Sequence, residues 1–337
     1  MSRRKQPLCT IDAPAAARAG KDSLFAKLGR AIRSEGRAWS KSLRKNYDLY
    51  LLLIPVIAYF AIFSYGPMYG LQIAFKDYSP AIGIAESPFV GLKHLYRFFH
   101  SFYFGRVLKN TLLLSLLNLL FTIPAPLILA LLFDELRRKK LKLAAQTLSY
   151  APNFISTVVL CSMIIMFLSP GTGFLDTILR AFGYSKKTSI LSSPGAFKWI
   201  YVLSNVWQMV GWDSVIYTAA LAGVPQELYE VARLDGASRL QQIRRVTIPA
   251  IKPTIVILSI MAVGNVMNIG YEKVYLLQNT ANLSASEVIS TYVFKAGLKD
   301  AQYSFASMVG LFNNVINFII LILANRISKR FGETSLW

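Results

Sequence analysis

Residues Val224 to Pro253 read V-P-Q-E-L-Y-E-V-A-R-L-D-G-A-S-R-L-Q-Q-I-R-R-V-T-I-P-A-I-K-P, a polar and basic island between two long apolar stretches. Such an island belongs at a membrane surface, and the apolar stretches beside it set the class of the whole chain. Pro225 favours a helix start, Gln226 and Glu227 suit an N-terminal turn, and Gly236 supplies the stop. Ser238 predicts the cap of a second helix through Leu240, Ile243 and Val246, with Arg239, Arg244 and Arg245 on other faces and Pro249 as its end. Crossing hydrocarbon takes roughly 20 apolar residues, so both short helices are expected to lie along the interface.

Outward from this island the composition agrees. The chain has 337 residues, 54% hydrophobic and only 16% charged, too apolar for a soluble domain of that size. Six segments satisfy the length test for spanning helices, at about 49–75, 110–133, 143–168, 199–222, 254–271 and 301–325. Pro55 and Pro67 predict kinks in the first, Pro124 and Pro126 a disturbance in the second, and Pro152 lies near the start of the third. The fourth carries a single charge, Asp213.

The net charge of +20 is sorted by loop. With the N-terminus inside, 25 of the 37 Lys and Arg residues fall on the cytoplasmic side, 12 of them in residues 1–46. This bias predicts both termini and the Val224 to Pro253 loop inside the cell, and makes a nucleic-acid partner unnecessary. Residues 1–46 form a basic cytoplasmic leader without the apolar run of a cleavable signal. Leu24, Phe25, Leu28 and Ile32 suit a basic amphipathic helix on membrane lipid, and a plain polar tail fits equally. Cys9 and Cys161 lie in different environments and imply no disulfide.

The first outward segment, 76–109, is rich in aromatic residues, which suits an interfacial belt or a docking face. It holds the chain's two histidines, His94 and His100, which have no thiol nearby and suggest no metal site. Residues 279–300 are expected to hold a helix capped at Ser284 or Ser286, presenting Ile289, Tyr292 and Val293.

No phosphate loop, H-E-x-x-H or Cys/His cluster is present, so hydrolysis of ATP by this chain is not expected. Polar residues inside spans mark the candidate path, because they are costly in lipid. Asn205, Gln208 and Trp212 fall on one helical face, joining amides to an aromatic surface as a sugar requires. Asn265 and Asn268 lie one turn apart in the fifth span. Asp213 falls off the Asn205 face, which predicts a helix-packing contact, and Asn313, Asn314 and Asn317 acquire no role.

The run Glu230-Val231-Ala232, three residues, Gly236, nine residues, Val246-Thr247-Ile248-Pro249 resembles the E-A-A, three, G, nine, I-x-L-P loop of ABC importer permeases, with mild apolar exchanges at Val231, Val246 and Ile248. The resemblance runs from about Tyr47 to Trp337. Ala74-Phe75-Lys76-Asp77-Tyr78, Ser149-Tyr150-Ala151-Pro152-Asn153 and Ser335-Leu336-Trp337 look like the subfamily importing oligosaccharides and polysaccharide fragments, including those from pectin and alginate.

The resemblance implies an all-α integral membrane protein, the six-span type I importer permease fold. Residues 47–337 would form the permease domain, with 224–253 as a cytoplasmic coupling helix that meets an ATPase through Glu230, Ala232, Arg233, Asp235, Gly236 and Pro249. By correspondence, Asn205, Gln208, Met209, Trp212, Asn265 and Asn268 would contact sugar. The implied partners are a second permease subunit, two ATPase subunits carrying ATP and Mg, and an extracytoplasmic sugar-binding protein; this chain itself would hold no cofactor. The alternative is a proton-coupled sugar transporter using Asp213.

Overall fold

The computed structural model describes residues 46–170, 172–183 and 189–330. The leader residues discussed above, Cys9 and the closing Ser335-Leu336-Trp337 lie outside them. The chain divides into two compact units, Met1–Gly70 and Leu71–Trp337.

The helix α1 (Tyr47–Phe75) is regular only to Phe60. It continues as a π turn, Ala61–Tyr65, and a 3-10 stretch from Gly66 that contains Pro67. Proline has no N–H to give, so the hydrogen-bond spacing changes around it. No described residue up to Gly70 is buried.

In the second unit, α2 (Phe104–Glu135) passes Pro124 and Pro126 with only a single-residue interruption at Ile123. The third expected span is two helices, α3 (Lys139–Phe154) and α4 (Thr157–Phe167), bent by 94°. The extended residues Ile155 and Ser156 make the bend, and the Ser156 hydroxyl caps α4 by accepting from Val159 N. The helix α5 (Pro194–Ala222) leads to the short α6 (Gln226–Leu234) and then to α7 (Arg239–Gly264). After a break come α8 (Tyr271–Leu277), α9 (Ile289–Phe294) and α10 (Tyr303–Arg330). By length and composition α1, α2, α7 and α10 could each cross a membrane, as could the bent α3–α4 pair taken together.

Two expectations at the polar island need correction. Pro249 does not end the second helix, because α7 runs through it. The wider π turn Ile243–Thr247 precedes the proline, which then occupies the first turn of the α-helical part, where a missing N–H costs little. The second short helix is therefore the start of a 26-residue helix rather than a separate interfacial one. That helix also stops at Gly264, short of the expected end at Tyr271.

Three apolar clusters hold the second unit. Leu114, Cys161, Phe197, Val202 and Val274 join α2, α4, α5 and α8. Ala130, Tyr217, Leu221, Val224 and Ile251 join α2, α5 and α7 beside the polar island. Phe98, Val107, Met267, Ile289, Phe305 and Val309 form the third, where the Phe98 ring meets Phe104 and Phe312 edge-on at 5.1 and 5.7 Å. The aromatic segment thus divides: Phe98 is core, whereas Phe89 and Phe102 are exposed. His94 is buried, with Nε2 3.3 Å from the Lys76 carbonyl. Lys93 donates to Asp77 at 2.7 Å, which holds that carboxyl below its ordinary range.

The cap of α9 is not Ser284 or Ser286. The Ser286 hydroxyl donates to Asn282 Oδ1, and the first amide of α9, Ile289 N, donates to Thr111 Oγ1 of α2. Asn282 is fully buried; its amide donates to the Leu191 and Leu277 carbonyls.

Candidate functional site

A cavity of about 580 Å³ opens where the two helix breaks face α5 and α2. Helix α2 contributes Ser115, Asn118 and Thr122, and the α3–α4 bend contributes Asn153, Ile155, Ser156 and Thr157. From α5 come Tyr201, Asn205, Gln208, Met209 and Asp213; Ala262, Asn265, Val266, Asn268, Glu272 and Lys273 close most of the remaining wall.

Backbone polar groups released at a helix break need partners where water is scarce. At the first break, Gln208 Nε2 donates to the Ile155 carbonyl at 2.9 Å. At the second, Asn317 Oδ1 accepts from Met267 N at 2.9 Å, and Asn313 Nδ2 reaches Asn268 Oδ1 at 3.0 Å. Asn313 and Asn317 therefore hold the irregular segment that carries Asn265 and Asn268. Those two residues are not on one helical turn, as the expected span placed them, because Asn265 already terminates α7. Across the cavity, Asn205 Nδ2 donates to Asn118 Oδ1 at 3.0 Å.

Of the six residues expected along the path, Asn205, Gln208, Met209, Asn265 and Asn268 line this one cavity. Trp212 does not. It is half exposed and meets Phe154 edge-on, with ring centroids 6.2 Å apart. Asp213, expected in helix packing, lines the cavity instead. The one-face argument puts Asn205 at the centre of the lining, whereas the real wall is offset toward Met209, which admits Asp213 and leaves Trp212 outside. The neighbouring face of α5 is taken by packing: Gly211 lies against the Ser149 backbone so closely that any Cβ would overlap it.

Asn118 and Lys273 were missed. Asn118 had a legible signal, an amide inside a leucine-rich span. Lys273 followed the expected span end and read as an ordinary flanking charge, yet it is buried and donates to Gln208 Oε1 at 3.1 Å.

At the polar island, Gly236 has φ +72° and its N–H reaches the Arg233 carbonyl, while Ala237 N reaches Ala232 O at 2.9 Å. These bonds close α6, and Ser238 with Gln241 forms a reciprocal capping box that opens α7. Tyr229 Oη lies 3.1 Å from Thr247 Oγ1, and Arg239 lies 3.9 Å from Glu135 at the end of α2. Glu230 and Asp235 are exposed, as are Val231, Leu234 and Leu240; Leu234 is 88% exposed.

Among the described residues of the second unit, helices enclose a polar cavity at two helix breaks, and one continuous helix joins it to a surface loop, an arrangement that suits a membrane permease. Residues 122–333 match the family described as binding-protein-dependent transport system inner membrane component, and the chain belongs to that family. It is a multi-pass inner-membrane permease subunit of an ABC importer, and its activity is transport rather than catalysis. It is 41% identical over 303 residues to Protein LplB of Bacillus subtilis (strain 168), covering 90% of this chain and 95% of the relative. It is 42% identical over 297 residues to the polygalacturonan/rhamnogalacturonan transport system permease protein YteP of the same organism, covering 88% and 92%. Among solved structures, a chain of a bacterial alginate ABC transporter in complex with an alginate pentasaccharide-bound periplasmic protein superposes with a TM-score of 0.80. Its identity is 39%, and the match covers 88% of this chain and 99% of that one.

Proposed function

We propose that this subunit forms half of the pore of an importer for an oligosaccharide or polysaccharide fragment, with the α2–α5–α7 cavity as its sugar path. The observation that carries the reading is α7 itself. One helix of 26 residues, roughly 39 Å at 1.5 Å per residue, runs from the capped loop at Ser238 to the cavity rim at Asn265. Movement of the loop by a closing ATPase is then delivered to Asn265 and Asn268 as rigid-body displacement of that helix. The amides of Asn118, Asn205 and Gln208 suit sugar hydroxyls, with Met209 and Tyr201 as apolar surface.

Six spans with both termini cytoplasmic complete the reading. Two ATPase subunits bind ATP and Mg, one of them docking on Glu230, Ala232, Arg233, Asp235, Gly236 and Pro249 of this chain, and the exposed Val231 and Leu234 add apolar area to that face. A second permease subunit completes the pore, and an extracytoplasmic binding protein delivers sugar. The acidic polymers named for YteP and for the alginate transporter support an acidic saccharide.

The test is uptake of labelled oligosaccharide into vesicles holding the assembled transporter and its binding protein. Uptake should require ATP at the ATPase face, survive a protonophore, and fall about tenfold in Asn118→Ala and Asn205→Ala, about the loss of one or two hydrogen bonds to ligand. Uptake that is ATP-independent and collapses with the proton gradient, or both variants at the wild-type rate, would contradict the reading.

A further inference from the structure

We propose that Lys273 is the point in this cavity that receives an anionic group, the carboxylate of a uronic sugar residue; this rests on the saccharide reading above. Lys273 is only 5% exposed and is one of the residues lining the cavity, and its ammonium reaches another of them, Gln208. Its side-chain partner is neutral: Gln208 Oε1 at 3.1 Å, with the Tyr201 ring centroid at 6.0 Å. Gln208 cannot turn away freely, because its amide nitrogen is engaged by the Ile155 carbonyl. An ammonium has three donors, so this amide leaves capacity for a ligand.

Burying a cation against a neutral amide destabilises the empty protein unless an anion completes it. Among the described residues no ion pair to Lys273 is formed. The carboxylates that share the cavity, Asp213 and Glu272, line it without pairing with the ammonium. An entering carboxylate is repelled by those two groups and attracted by one, which localises it at the α5–α8 corner where Lys273 and Gln208 meet. A neutral sugar gains only a hydrogen bond from a hydroxyl to this ammonium, whereas a carboxylate gains the stronger contact of opposite charges, so Lys273 sets selectivity for charge rather than for sugar as such.

The experiment compares wild type, Lys273→Met and Lys273→Arg in transporter vesicles with saturating binding protein, using tetragalacturonate and its carboxyl-reduced neutral counterpart. The ratio of acidic to neutral uptake should fall about tenfold or more in Lys273→Met, from loss of a charge-assisted contact, and return to within about threefold of wild type in Lys273→Arg. If wild type carries only the acidic tetrasaccharide, the same fall and recovery are read on its rate alone. An unchanged ratio, an equal loss of both sugars in Lys273→Met, or a wild type that carries only the neutral sugar overturns the proposal. A wild type that carries neither contradicts the saccharide reading itself.

Discussion

Gly236→Asp should leave the chain folded and inserted while reducing uptake more than about tenfold. Its φ of +72° is a conformation that aspartate, like asparagine, tolerates better than most side-chain residues, and a Cβ built there meets nothing within 4 Å. Aspartate therefore meets no clash and carries only the backbone strain of the left-handed region, which lowers stability without preventing folding. The new carboxylate stands next to Asp235, on the turn between α6 and α7 that we assign to the ATPase groove, where close approach requires a small neutral surface. Gly236→Val separates the two effects. A β-branched residue in the left-handed region strains the backbone by about 1–3 kcal/mol and should unwind the turn itself. Thermal unfolding of both variants in detergent, beside uptake and ATP hydrolysis in vesicles, checks this. Normal sugar-stimulated hydrolysis and uptake in Gly236→Asp would refute the assignment of the turn.

Gly211→Ala has the largest expected effect on stability. The added Cβ would overlap the Ser149 carbonyl and its carbon, which are backbone atoms of α3 and cannot rotate aside. Either α5 or α3 must shift, and both carry cavity residues. Overpacking against backbone at a buried crossing should destabilise by roughly 3 kcal/mol. Gly310→Ala in α10 is the matched control: a Cβ there meets nothing within 4 Å, and alanine favours helix by up to about 1 kcal/mol. Thermal unfolding should place Gly211→Ala well below wild type and Gly310→Ala at or above it. Equal midpoints for the two would show that α3 and α5 do not approach at this residue.

The architecture was legible wherever one physical signal dominated. The polar island with its glycine stop and serine cap could be read directly, because capping chemistry is local: Ser238 and Gln241 are three residues apart and complete each other. The breaks were not legible in the same way. Val263, Val266, Met267 and Ile269 keep the hydropathy high on both sides of Gly264, so composition continues the helix where geometry ends it. What stabilises the irregular segment is Asn313 and Asn317, far away in sequence on α10. Pro249 misled for the opposite reason. A breaker residue is harmless once a π turn has already altered the hydrogen bonding ahead of it. Within the cavity, helical spacing found the amides of α5 but placed their face slightly off, trading Asp213 for Trp212. Lys273 could be found only by folding, since nothing local distinguishes a buried lysine beyond a span from a flanking one.

The central claim is that the Val224 to Pro253 loop is the seat of a separate ATPase. The most direct measurement places a photo-crosslinking residue at Leu234, the most exposed apolar side chain of α6, in the full chain within its native host. Irradiation followed by affinity purification and mass spectrometry should give one dominant adduct, to a protein carrying a P-loop ATPase sequence, lost when Gly236 is replaced by aspartate. An intact, folded chain that crosslinks only to lipid at Leu234 would contradict the account.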